Sequence, residues 1–254
     1  MAQPITISGV SKTFGSGTAG VQALQDVDLE VAAGEFVAIV GASGCGKSTL
    51  LRLVGGLAPP TSGRIEIGGK PVVEPSPGIG IVFQTPVLLP WRTVEQNVQL
   101  PLVIQRSGDA AQRIQDLLEL VGLRGFERRR PYELSGGMQQ RVALCRALVT
   151  DPSLLLMDEP FGALDALTRE QMNLELQRIW LETGKTVLLI THSITEAVML
   201  ADRVVVMTPR PGRIREIIEV KLPRPRDFSA LRDAAFHEAC ERIRMLMNAS
   251  GFVE

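Results

Sequence analysis

The chain has 254 residues, 45% hydrophobic and 22% charged, enough to bury the core of one large domain or of one domain carrying an insertion. Its 27 basic and 28 acidic residues leave a net charge of −1, which argues against a nucleic-acid binder or a lipid-surface binder held by bulk charge. Three widely separated cysteines (Cys45, Cys145 and Cys240) suggest neither a zinc site nor a disulfide framework, and no apolar run approaches the about 20 residues that span a bilayer.

Membrane association is therefore expected only through a partner protein, and Met1-Ala2-Gln3-Pro4 lacks the basic start of a secretory signal. From the start, Ile5 and Ile7, then Val27, Leu29 and Val31, alternate with polar residues as half-buried strands do. The run FVAIV at 36–40 has the continuous apolar character of a strand buried on both faces. It leads into GASGCGKST at 41–49 and an apolar helical stretch over 49–54, stopped by Gly55-Gly56. Residues 64–67 alternate again and end in Gly68-Gly69; residues 79–83 form a further predicted strand ending at Gln84.

The middle of the chain changes character. Thr93-Val94-Glu95-Gln96 has capping-box spacing, and Ala111, Ile114, Leu117, Leu118 and Val121 recur at helical spacing until Gly122. After LSGGMQQR at 134–141, Met138, Val142, Cys145 and Val149 form another helical stripe, so 85–150 is predicted to be an inserted helical segment. Arg124 and the Arg128-Arg129-Arg130 run within it are expected to form a solvated face.

Strand–helix alternation then resumes. A strand over 154–157 ends in Asp158-Glu159, a helix over 167–183 is closed by Gly184, and a strand over 187–190 runs into Thr191-His192. Ser193-Ile194-Thr195-Glu196 repeats the capping-box spacing, and residues 204–207 and 214–220 can pair as a hairpin about Pro211-Gly212. Beyond LPRPR at 222–226, Phe236, Cys240, Ile243 and Met247 predict a last amphipathic helix packed on the body of the domain. The expected fold is α/β, with a mainly parallel sheet covered on both faces and an antiparallel β flank. The expected divisions are 1–84 and 151–226 for the two parts of the core, 85–150 for the helical insertion and 227–254 for a helical tail.

The chemistry concentrates at strand ends. Gly41, Ala42, Ser43, Gly44, Cys45, Gly46, Lys47 and Ser48 match the phosphate-loop pattern G-x-x-x-x-G-K-S/T, with a buried strand before and a helix after. Glycines in such a loop let backbone N–H groups turn toward phosphate oxygens, and the helix N-terminus adds a favourable dipole. Lys47 is placed to reach the β- and γ-phosphates and Ser48 to ligate Mg²⁺. Asp158 can hold the Mg²⁺ shell, and Glu159 is the candidate base for an attacking water. His192 and Gln84 stand at strand ends where ligands bind in such sheets, but position alone fits a structural role equally well. Cys45, near Lys47 and a helix N-terminus, is expected to be a reactive thiolate that bound nucleotide protects.

The order of GASGCGKST, Gln84, LSGGMQQR, LLLMDEP, GALD and His192 resembles the ATP-binding subunits of ABC transporters, over about residues 5–215. That resemblance implies a RecA-like P-loop NTPase core with an antiparallel β flank and an inserted helical subdomain, using ATP and Mg²⁺. It implies that Phe14 stacks on adenine, where many relatives have tyrosine, and that Thr49 completes the phosphate loop. It makes Glu159 the catalytic carboxylate and Gln84 a sensor of Mg²⁺ and water. His192 completes the γ-phosphate site, and Asp165 lies at a subunit interface. Ser135, Gly136 and Gly137 then face the γ-phosphate of ATP held by a second copy of the chain, in an ATP-sandwich homodimer.

TPVLLPWRTVEQNVQLPL at 85–102, FGALDALTR at 161–169 and PRPGRI at 209–214 resemble the nitrate, sulfonate and taurine branch of importers. Branches for thiamine precursors or riboflavin use similar wording. The implied partners are transmembrane permease subunits, with part of the apolar run 87–91 at their docking surface, and indirectly an extracytoplasmic solute-binding protein. The implied location is the cytoplasmic face of the inner membrane. A soluble ABC ATPase acting on ribosomes would carry two nucleotide domains and one acting on DNA a long coiled coil, while a P-loop kinase would lack LSGGMQQR.

Overall fold

In a computed structural model, residues 1–15, 20–108, 110–162 and 164–248 are described. Two sheets organise them. The larger has six strands in the order β10-β9-β3-β8-β7-β6, built from β3 (Phe36–Val40), β6 (Ile79–Val82), β7 (Leu154–Asp158), β8 (Thr186–Ile190), β9 (Arg203–Met207) and β10 (Ile214–Glu219). Five of these strands are parallel, and only the edge strand β10 runs antiparallel, to β9.

Alternation along the central strands divides the core into two halves. Phe36, Ala38 and Val40 point to one side with Leu155, Met157, Val187, Leu189, Val204 and Val206. Val37 and Ile39 point to the other with Leu154, Leu156, Leu188, Ile190, Val205 and Met207. Because both sides must be covered, these strands are apolar throughout rather than alternating.

The second side is covered by helix α1 (Lys47–Val54) and by a four-stranded sheet, β2-β1-β4-β5. That sheet is antiparallel: β1 (Ile5–Phe14) pairs with β2 (Val21–Val31) and with β4 (Ser62–Ile67), and β4 turns at Gly68-Gly69 into β5 (Lys70–Pro71). The expected alternation holds, with Ile5, Ile7, Val27, Leu29 and Val31 all inward.

The first side is covered by helices. Between β6 and β7 the chain forms α2 (Val94–Ile104), α3 (Ala111–Leu120), a 3₁₀ turn (Pro131–Glu133) and α4 (Gly136–Leu148). Their apolar residues join the same buried cluster as β3 and β8, so the inserted helices share a core with the sheet. The helices α5 (Ala166–Thr183), α6 (Ile194–Leu200) and α7 (Ala234–Asn248) complete this layer.

The helix signals hold with one correction. Thr93 caps α2 in a reciprocal box with Gln96, and Gly184 closes α5 in the left-handed conformation. At α6, Ser193 Oγ accepts from Glu196 N, but the Glu196 side chain does not reach back. It turns inward, 4% exposed, to the hydroxyl of Thr191. Helix α7 packs through Phe236, Cys240 and Ile243, as its spacing predicts; residues 249–254 lie outside the described residues.

The segment 222–226 is more than a boundary. Arg226, 2% exposed, donates to the carbonyls of Val198 and Ala201 at the end of α6 and to those of Val220 and Leu222. Arg224 pairs with Asp202 and lies over the Trp180 ring at 4.2 Å. Among the described residues no helix is long and apolar enough to cross a membrane.

Candidate active site

Four adjacent parallel strands, β3, β8, β7 and β6, end on the same edge of the sheet, and each delivers site residues there. β3 runs into the glycine-rich loop, β8 into His192, β7 into Asp158 and Glu159, and β6 toward Gln84. This is the crevice at the carboxyl ends of the strands where open α/β sheets bind ligands.

The loop is set by close packing. Gly46 has φ 109°, and a Cβ there would stand 2.7 Å from Leu24 Cδ2 and 2.8 Å from Ala23 O, so no other residue fits against β2. α1 then starts at Lys47, without a side-chain cap. The Lys47 ammonium donates to the carbonyls of Gly41 (2.7 Å) and Ala42 (2.8 Å), which holds it inside its own loop. Ser48 Oγ lies 3.0 Å from Asp158 Oδ1, joining the loop to the end of β7.

Glu159 is the pivot of the other half. Its backbone has φ 46°, a strained value for a non-glycine residue, and its N–H is held by Ile190 O of β8 at 2.9 Å. Gln84 Nε2 donates to Glu159 Oε2 at 3.2 Å, and His192 Nδ1 stands 3.3 Å from the same oxygen. Three residues from three strand ends thus meet on one carboxylate. Burial pushes the Asp158 carboxyl above its ordinary range, opposed by the Ser48 hydrogen bond and reinforced by the Glu159 charge.

A cleft of about 410 Å³ opens over this edge, lined by Phe14, Val21 and Ala23 at one end, by Ser43, Gly44 and 46–49 along its floor, and by Gln84 and Glu159. Phe14 is half exposed there, with Lys12 Nζ 5.2 Å from its ring. Phe14, Ser43, Gly44, Gly46, Lys47, Ser48, Thr49, Gln84 and Glu159 therefore meet in one cavity, Gly41 and Ala42 hold the lysine, and Asp158 and His192 touch its lining.

Cys45 corrects the expectation of a reactive thiolate. It is 1% exposed, in the apolar cluster beneath the loop, and burial pushes its thiol up more than Lys47 pulls it down.

Ser135, Gly136, Gly137 and Asp165 do not line the cleft. They gather elsewhere: Ser135 caps α4, Asp165 caps α5, and the two helix starts abut. A Cβ at Gly137 would lie 2.9 Å from Thr168 Cγ2, and one at Gly136 3.9 Å from Leu164 Cδ2. Arg169, which the motifs did not single out, donates to the carbonyls of Phe161 (3.2 Å), Gly162 (3.4 Å) and Leu164 (2.8 Å) and so shapes the turn before α5.

A second, apolar cleft of about 550 Å³ lies between β6 and α2, with Ile81, Phe83, Val87, Pro101, Ile104 and Arg146 on its walls. The run 87–91 divides here. Leu88 packs on the core, whereas Val87 and Trp91 are 59% and 69% exposed. The backbone of this region is gripped from α4: Gln140 Nε2 donates to Phe83 O at 3.2 Å, and Arg146 donates to Pro86 O at 2.7 Å and Val87 O at 2.8 Å. Asn97, fully buried in α2, bonds the backbone of Leu89, Arg92 and Thr93.

Comparison with known proteins bears on this geometry. A family model described as ABC transporter matches residues 24–162. The taurine import ATP-binding protein TauB of Burkholderia pseudomallei is 53% identical over 207 residues, covering 81% of this chain and 80% of that protein. The nitrate import ATP-binding protein NrtD of Synechococcus elongatus is 48% identical over 227 residues, covering 87% and 83%. Among solved structures, a dimeric ATP-binding cassette in a post-hydrolysis state with ADP and Pi bound is 34% identical; it covers 86% of this chain and 100% of its own, with a TM-score of 0.76.

Proposed function

This chain belongs to the ABC transporter family, and we propose that it is the ATP-hydrolysing motor of an importer for a small solute of the nitrate, sulfonate or taurine kind. The observation that carries the reading is the Glu159 carboxylate, placed between Gln84 and His192 at the end of a cleft floored by the phosphate loop.

In the proposed site, ATP lies with its base at Phe14 and its phosphates over 43–49. Lys47 exchanges its two loop carbonyls for phosphate oxygens. Ser48, Asp158 and Gln84 supply hard oxygen donors, and the described residues contain no cage of three or more acidic, His or Cys groups. Such a sparse set suits Mg²⁺, which keeps several waters and takes one or two carboxylates beside substrate phosphates. Bound there, Mg²⁺ would neutralise phosphate charge. Glu159 orients and polarises the attacking water, with Gln84 and His192 fixing the carboxylate. Product formation is complete with ADP and inorganic phosphate, and needs no acceptor.

The motor works as a pair of copies that close on ATP and bears on transmembrane permease subunits at the cytoplasmic face of the membrane, while an extracytoplasmic binding protein delivers the solute to the permease from the opposite side. The apolar cleft beside Phe83 and Val87, with Trp91 exposed nearby, is the surface proposed for that contact. ATP can drive the cycle only by binding the closed pair more tightly than the open one.

Co-expression with its permease and reconstitution into vesicles tests the proposal. Phosphate release should rise when a binding protein loaded with taurine, another sulfonate or nitrate is added outside. A chain that does not co-purify with a multi-spanning membrane protein, or that releases phosphate only with an acceptor present, would overturn it.

A further inference from the structure

Among the described residues lining the nucleotide cleft is a cation that no phosphate-loop motif supplies. We infer that Arg210, at the tip of the turn between β9 and β10, is a nucleotide-binding residue that takes the α-phosphate side of ATP. The inference rests on the nucleotide-site reading above and extends it to the PRPGRI stretch, far in sequence from the phosphate loop.

Arg210 is one of the residues lining the cleft, together with Phe14, Val21, Ala23 and the loop. Its place there is built from both sides. The turn is closed by Thr208 N to Arg213 O at 2.9 Å and by Arg213 N to Thr208 Oγ1 at 3.0 Å. It is then laced to β2, with Gly212 N donating to Ala23 O and Gln25 N to Gly212 O, each at 2.9 Å. Gly212 also presses on the phosphate loop: a Cβ there would stand 2.0 Å from Cys45 O. The turn that carries Arg210 is thus wedged between the Phe14 end of the cleft and the start of α1.

Charge and bonding point the same way. Among the described residues that line the cleft, the cations are Lys47 and Arg210. Lys47 is committed to Gly41 O and Ala42 O in this structure. Arg210 is exposed and makes no side-chain hydrogen bond or ion pair among the described residues. Three arginines, of β9, of the same turn and of α7, find partners: Arg203 takes Glu35, Arg213 takes Gln25, and Arg242 takes Glu216. A planar guanidinium left with its donors open at the rim of a polyanion site matches phosphate oxygens by paired, charge-assisted hydrogen bonds. Its turn is bonded to Ala23 and Gln25 of β2, the strand that pairs with Phe14 at the base end of the cleft, and this assigns Arg210 to the α-phosphate rather than the γ-phosphate.

The test is nucleotide affinity of the purified full chain, with ATP and with ADP in the presence of Mg²⁺, for Arg210→Ala, Arg210→Lys and Lys47→Ala. Arg210→Ala should weaken both nucleotides about tenfold, the loss of one charged contact. Arg210→Lys should recover part of it, and kcat at saturating ATP should stay close to wild type while KM rises. Unchanged thermal melting of the apo chain checks that the exposed substitution leaves the fold intact. Wild-type affinity in Arg210→Ala, with binding lost in Lys47→Ala, would overturn the inference and leave the site standing. A loss confined to ATP would overturn the α-phosphate placement. Full binding by Lys47→Ala would remove the nucleotide-site reading, and the inference with it.

Discussion

At the scale of single residues, Glu159 and Cys45 make opposite points about what a motif says. Glu159 was identified by its place after a strand-end aspartate, and the structure adds the reason its carboxylate is oriented: Gln84 and His192 approach the same oxygen. Glu159→Gln keeps the shape and loses the base. ATP binding should survive, and phosphate release should fall by about a hundredfold or more. Full hydrolysis by that variant would remove Glu159 from the chemistry. Cys45 stands among residues that favour a thiolate, yet its side chain points under the loop, where Gly41 leaves it room and Met207 packs beside it. Spacing along a loop does not reveal which way a side chain points, and here direction outweighs charge: burial raises the thiol above its ordinary value, so the protonated form dominates at neutral pH. Iodoacetamide at pH 7 should therefore leave Cys45 largely unmodified in the native chain, with or without ATP, and label it once the chain is unfolded in denaturant. Rapid labelling of native Cys45, seen by mass spectrometry, would contradict this.

At the scale of elements, the helices and strands were readable wherever one rule decided them. The core strands read as apolar runs because both faces are covered, and α3 and α4 read from their stripes. What was not readable is the work of polar residues on those same helices. Gln140 and Arg146 lie among the apolar positions of α4 and look, in sequence, like its wet side. In the structure they hold the carbonyls of Phe83, Pro86 and Val87, so the helix that Ser135 caps and the segment that carries Gln84 are tied together. Asn97 does the same from α2 for residues 89–93. Bonds of this kind join segments distant in sequence, and only the fold supplies the partner. Arg146→Ala breaks the tie at two carbonyls and should cost about 1.5 kcal/mol in urea unfolding. Hydrolysis by the isolated chain should stay near wild type, while stimulation by the reconstituted permease is lost. Undiminished stimulation would show that the tie does not carry the motion.

At the scale of the whole molecule, the phosphate loop and the LSGG turn pose a single question. The motif order showed that both belong to one machine, and a resemblance supplied the idea that they meet across two chains. Within one chain they stay apart: Ser135, Gly136, Gly137 and Asp165 gather at the starts of α4 and α5, outside the cleft that holds Lys47 and Glu159. Ser135 and Gly136 are exposed, and among the described residues a Cβ at Gly136 would meet Leu164 Cδ2, at 3.9 Å. An exposed glycine beside a capping serine at a helix start is suited to a phosphate from outside, because the helix N-terminus presents free N–H groups. In the proposed sandwich each copy holds half of two sites, and damage in one half is complemented by the other. Ser135→Arg places bulk and charge at the contact while leaving its own loop intact. It should bind ATP and fail to hydrolyse it. Lys47→Ala has the reverse lesion, an intact LSGG turn and a disabled loop. Each variant alone should be inactive, but a mixed dimer contains one whole site, made from the loop of the first chain and the turn of the second. Mixing the two should therefore restore part of the phosphate release, in proportion to the mixed dimer seen by gel filtration with ATP. Hydrolysis by Ser135→Arg alone, or silence from a mixture in which mixed dimers are present, would show that each chain carries a complete site of its own.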